Sequence, residues 1–198
     1  LPVPRAAARR DPFVFAWGEG WRMLLARPCP WDGWQEAGPS VIEIWASPDR
    51  LDWTRVGEIG PWDPPGVLWE VPVLLSDAAG DGATLIWSRV DRRGGGAGCS
   101  ALWRRGRFDG IGFVADGAAQ PFDYGPDFYA PMLNVAEGWP DDERVAIGWI
   151  GSWETARRMP WPGFAGGPIS VPRAVGPGLT VSLPERLRAA FRVPADGV

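Results

Sequence analysis

The sequence contains no lysine and no histidine: its 20 basic residues are all arginine, set against 24 acids for a net charge of -4. Without histidine there is no histidine triad, no His-liganded zinc and no imidazole general base. Chemistry on this chain is left to carboxylates, hydroxyls and arginine. The two cysteines, Cys29 and Cys99, are too few for a disulfide framework or a thiolate metal site and read as ordinary thiols. No apolar run approaches the ~20 residues that cross a bilayer. No secretory signal is visible. The chain opens at Leu1 without a methionine, so a processed, trimmed or truncated end is expected there. Scattered arginines in a mildly acidic chain leave no electrostatic footprint for nucleic acid.

What is abundant is glycine, proline and tryptophan. The 27 glycines and 22 prolines would suggest low complexity, but 14 tryptophans and 45% hydrophobic residues demand a packed interior. Apolar stretches are short and separated by Gly, Pro and Asp, which predicts an all-β chain. Strands are expected at Phe13–Trp17, Trp21–Ala26, Val41–Ser47, Val71–Leu75, Thr84–Arg89, Ser100–Arg104, Gly112–Ala115, Phe128–Val135, Val145–Trp149, Ile169–Val171 and Leu179–Leu183. Only Pro184–Phe191 carries a helical pattern.

Three strand starts repeat an acid before an apolar run: Asp11, Glu70 and Asp127, spaced 59 and 57 residues apart. Each is followed by a second and a third apolar segment, the pattern of propeller blades. In such a fold the first strand of each blade lines the axis, so the three carboxylates are expected to converge at one end of it. Converging carboxylates without histidine or a metal cluster suggest glycoside hydrolysis, where one carboxyl protonates the leaving oxygen and another attacks or activates water. Glu70 sits in an apolar frame, between Trp69 and Val71-Pro72. Trp17, Trp21, Trp69, Trp149 and Trp153 offer flat faces for sugar rings.

These residues also carry a resemblance. Arg10-Asp11-Pro12, Trp69-Glu70-Val71-Pro72, the segment from Asp123 to Ala130 (DYGPDFYA), and Ile147–Trp153 followed by Val171-Pro172-Arg173 occur in one order over about 160 residues. Together they resemble the RDP, WECP, DYGxDFYA, IGWMGNW and LPR segments of glycoside hydrolase family 32, the invertase, inulinase and levanase group. The resemblance implies a retaining hydrolase of β-fructofuranosides on a five-bladed β-propeller, with no cofactor and no metal. Its partner would be a fructose-containing oligosaccharide or polysaccharide, and neither nucleic acid nor a membrane. It implies Glu70 as the acid/base, Asp11 as the transition-state stabiliser, and Arg10, Asp123, Tyr124, Trp69 and Trp149 as substrate-binding neighbours. Val71 stands where the family has cysteine, a swap of similar volume.

Two family segments are absent. The WMNDPNG motif that carries the family's nucleophile does not occur in the 198 residues, nor does FSGS. The expectation is therefore a partial propeller over residues 1–175, about three four-stranded blades corresponding to the last three of five. Residues 176–198 would be a linker towards an absent β-sandwich. Such a chain is expected to be inactive by itself, its propeller completed by more of the same protein or by a partner. The competing readings are a non-catalytic fructan-binding module and a propeller-like interaction domain.

Overall fold

A computed structural model describes residues 9–29, 38–76, 82–93, 98–125, 127–133, 144–153, 167–176 and 179–191. They form three antiparallel sheets whose strands follow one another in chain order. The first holds β1 (Arg10–Trp17), β2 (Gly20–Arg27), β3 (Val41–Ser47) and β4 (Thr54–Ile59). The second holds β5 (Val67–Ser76), β6 (Gly82–Asp91), β7 (Gly98–Phe108) and β8 (Phe113–Ala115), with the short β9 (Gln120–Pro121) added to β7. The third holds β10 (Tyr129–Leu133), β11 (Val145–Trp149), β12 (Arg173–Val175) and β13 (Val181–Ser182). A short helix, α1 (Glu185–Ala190), follows Pro184.

Local chemistry explains the tight reversals. Gly18, at a φ of 59°, turns β1 into β2. Asp49 closes the β3–β4 turn by accepting the N–H groups of Leu51 and Asp52 at 2.9 and 3.0 Å. Asp109 does the same after β7 for Ile111 and Gly112, at 3.0 and 2.7 Å.

The first strands β1, β5 and β10 are neighbours, so the sheets stand side by side like the blades of a propeller. Their facing surfaces bury one continuous core. It runs from Phe13, Leu24 and Ile44 through Trp69, Trp87 and Phe108 to Phe122 and Phe128. At its centre Trp62, Trp69 and Trp87 meet with ring centroids 5.4–5.6 Å apart.

Three strands escaped the sequence reading. β4 is mostly exposed and shows little apolar patterning, while β9 and β12 are two and three residues long. Ile169, expected within a strand, makes only a bridge to Trp149. The third sheet runs past the expected boundary at residue 175, because its outer strand β13 lies beyond it and pairs with β12 through Val175 and Val181. Residues 134–135 of the strand expected at Phe128–Val135, and the tail after Phe191, lie outside the described residues. Cys29 and Cys99 are not joined in a disulfide.

Candidate active site

Each first strand carries the same irregularity. The pairing slips between Arg10 and Phe13, between Glu70 and Val73, and between Tyr129 and Met132. At each slip a residue with left-handed backbone precedes a proline: Asp11 (φ 57°), Val71 (φ 49°) and Ala130 (φ 52°), followed by Pro12, Pro72 and Pro131. These are β-bulges, which bend a strand and re-aim the neighbouring side chain. The residues just ahead of them are Arg10, Glu70 and Tyr129.

Those three side chains meet. The Arg10 guanidinium lies 2.6 Å from Glu70 Oε1, and the Tyr129 hydroxyl donates to Glu70 Oε2. Glu70 is thus held at both oxygens by groups from the sheets on either side. Its side chain is 12% exposed and that of Arg10 37%, so the carboxyl is sheltered while the guanidinium stays in reach of solvent. Arg10 Nε is buried with no hydrogen-bond partner among the described residues. Burial, and then the charge of Glu70, push the Tyr129 phenol well above its ordinary range, so it keeps its proton and remains a donor.

The bulges are tied together by a second set of contacts. Asp11 Oδ2 accepts the N–H of Val71 at 3.1 Å, placing the Asp11 carboxylate against the peptide that follows Glu70. The N–H of Ala130 donates to Ser88 Oγ at 2.9 Å, and Ser88 is the cross-strand partner of Glu70. Trp149 joins from β11. It pairs with Tyr129 in the sheet, and the two rings meet edge to face at 6.2 Å. Trp153 continues the aromatic row at 5.6 Å from Trp149 and is 41% exposed.

The structure therefore gathers Arg10, Asp11, Glu70 and Trp149, and adds Tyr129. It does not bring Trp69 to them. Successive side chains of a strand point to opposite faces, so the neighbour of Glu70 must point away from it. Trp69 is fully buried in the tryptophan cluster, with Nε1 donating to Asp63 at 2.9 Å, and presents no face to a sugar. Asp123 is also engaged elsewhere. Its carboxylate pairs with Arg173 and accepts the N–H of Gly125 at 2.7 Å. Tyr124 beside it is 90% exposed. Trp21 lies under the Arg50 guanidinium, 4.5 Å away, and Trp17 packs on Phe108 at 4.9 Å.

The repeat is also phased differently from the sequence reading. The structural equivalents are Arg10, Glu70 and Tyr129, whereas Asp127 precedes its strand by two residues. Aligning the three prolines, at spacings of 60 and 59, would have found Tyr129; aligning the acids hid it.

The chain is similar to known proteins. Residues 1–177 match the family model described as glycosyl hydrolases family 32 N-terminal domain. The extracellular exo-inulinase of Aspergillus niger is 29% identical over 164 residues, covering 76% of this chain and 29% of the relative. The levanase of Bacillus subtilis is 30% identical over 171 residues, covering 81% of this chain and 24% of the relative. The chain thus spans less than a third of the length of either. Among solved structures, that of exo-inulinase from Aspergillus awamori superimposes with a TM-score of 0.61 at 26% identity. That match covers 87% of this chain and 35% of the other.

Proposed function

The chain belongs to glycosyl hydrolase family 32, and from that premise we propose that it forms part of a hydrolase of β-fructofuranosidic bonds, with Glu70 as its acid/base. One observation supports this most: a sheltered carboxyl, grasped by Arg10 and Tyr129 at the meeting point of three first strands. In this reading Glu70 gives a proton to the glycosidic oxygen as the bond to the anomeric carbon breaks. It then takes a proton from the water that releases fructose. Asp11, fixed against the Val71 peptide, holds sugar hydroxyls as positive charge develops on the ring. Arg10 steadies Glu70 through one nitrogen, and the exposed part of its guanidinium is left to face the substrate.

A retaining reaction needs a second carboxylate about 5–5.5 Å from the first, on the opposite side of the bond. The WMNDPNG segment that would carry it is absent from these residues. We assign the nucleophile to polypeptide outside them, and the three sheets to the last three blades of the propeller. The relatives named for inulin and levan make a fructan or sucrose the substrate class to test first.

In the protein as its whole reading frame encodes it, Glu70→Gln is expected to lower kcat for fructose release by about 10²–10⁴-fold, with KM little changed. Unaltered turnover of both sucrose and inulin would overturn the assignment. The 198-residue chain alone is expected to release no fructose. Release by that chain, lost on Glu70→Gln, would show that the nucleophile lies within it.

A further inference from the structure

A second feature lies away from Glu70. Between the outer strands of the second and third sheets is a cavity of about 800 Å³. Glu70 sits on β5, with β1 and β10 beside it, and none of the residues contacting it lines this space. Trp103 of β7 and Phe122 just after β9 supply aromatic surface from one sheet, and residues 171–173 and 179–183 close it from the other. The Asp123–Arg173 ion pair spans the two sheets within the lining.

We propose that this cavity is a second saccharide-binding site, which takes sugar units remote from the bond that is cleaved. The choice of ligand follows from the lining. Asp123 and Arg173 neutralise each other, so neither an anion nor a cation gains a net opposite charge. Both are nevertheless fixed in place and rich in hydrogen-bonding capacity. The Asp123 carboxylate is anchored by the Gly125 N–H at 2.7 Å, and the Arg173 guanidinium lies over the Phe128 ring at 4.3 Å. Donors and acceptors held side by side next to the aromatic surface of Trp103 and Phe122 suit a neutral ring bearing many hydroxyls. The Ser182 hydroxyl and the 90% exposed Tyr124 add polar groups at the rim. Because Asp123 and Arg173 are held in place before binding, little of their conformational freedom is lost on occupation. The site rests on the fructan reading for the identity of its sugar. It would hold a long chain by a second point and so favour polymeric over short substrates.

The test uses the full chain carrying Glu70→Gln, titrated calorimetrically with the inulin-type trisaccharide 1-kestose. Two binding events are expected. Adding Tyr124→Ala with Ser182→Ala, both exposed positions, should weaken one event at least tenfold and leave the melting temperature unchanged. Asp11→Asn should weaken the other event instead. Arg173→Gln provides an independent probe of the first event, read only where the melting temperature is retained. If no event changes with the Tyr124/Ser182 pair, the second site is wrong. Loss of fructose release on Glu70→Gln would still support the hydrolase reading in that case, so the two failures are separable.

Discussion

Tyr129 shows how much a single hydroxyl can control. It is 3% exposed and donates to the same carboxyl that Arg10 holds from the other side. Tyr129→Phe keeps the ring and its packing on Trp149 but deletes the donor. In the complete protein kcat is expected to fall about 10–100-fold with KM nearly constant, the worth of a hydrogen bond to a charged group. Steady-state kinetics on sucrose check this, and a change confined to KM would mean that the hydroxyl acts on the substrate instead. Trp69 teaches the reverse. It adjoins Glu70 in sequence and is an aromatic of the kind that binds sugars, yet strand alternation turns it into the core. Sequence proximity to a site residue is poor grounds for a contact when the element is a strand.

At the scale of elements, the three bulges do the positioning. Left-handed backbone costs a non-glycine residue about 1–2 kcal/mol. At Ala130, where φ is 52°, a glycine would remove that cost and lose little packing. Ala130→Gly is therefore expected to leave the unfolding free energy unchanged within about 1 kcal/mol, the glycine entropy term offsetting the relief. Ala130→Val should destabilise. Denaturant titration distinguishes the pair, and equal losses for both would argue against a strained bulge. The packing of one sheet on the next depends on a different feature. A Cβ on Gly57 of β4 would lie 1.8 Å from the carbonyl oxygen of Ile111, in the turn after β7. Backbone cannot yield as a side chain can, so Gly57→Ala is expected to cost about 1–3 kcal/mol or more, again read by denaturant midpoint.

For the whole molecule, the buried charge of the first sheet sets an acid limit. Glu43 is 1% exposed on β3. Its carboxylate receives Arg9 Nε at 2.7 Å and Trp45 Nε1 at 3.0 Å, with Arg27 at 3.3 Å and Arg55 at 3.7 Å. Burial alone would raise its pKa, but the hydrogen bonds from Arg9 and Trp45 and the charges of Arg9 and Arg55 outweigh that and hold it below its ordinary 4.5. A carboxyl depressed in the folded chain favours folding fully above its unfolded value. That contribution is lost as pH falls through the lower, folded value. Melting temperature is thus expected to drop below about pH 4.5. Glu43→Gln should flatten that part of the profile while lowering stability at pH 7 by about 1.5–3 kcal/mol. An unchanged acid limb in the variant would assign the loss to other carboxylates, with Asp91, held well below its ordinary range first by its hydrogen bond from Arg93, as the next candidate.

The sequence by itself determined the all-β class, most strand positions and the identity of Glu70, Asp11 and Arg10 as a group. Glycine, proline and aspartate mark turns locally, and motif order survives without any knowledge of contacts. The lack of lysine and histidine already confined the chemistry to carboxylates, hydroxyls and arginine. Only the tertiary structure decided which neighbours surround Glu70. Tyr129 reaches it across a blade boundary, Trp69 turns away, and Asp123 is claimed by Arg173, 50 residues along the chain. Each of those outcomes rests on which face a strand presents and which sheet stands beside it. One bulge shifts that face by a residue, and no local pattern in the sequence reports the shift unless the prolines, rather than the acids, are aligned.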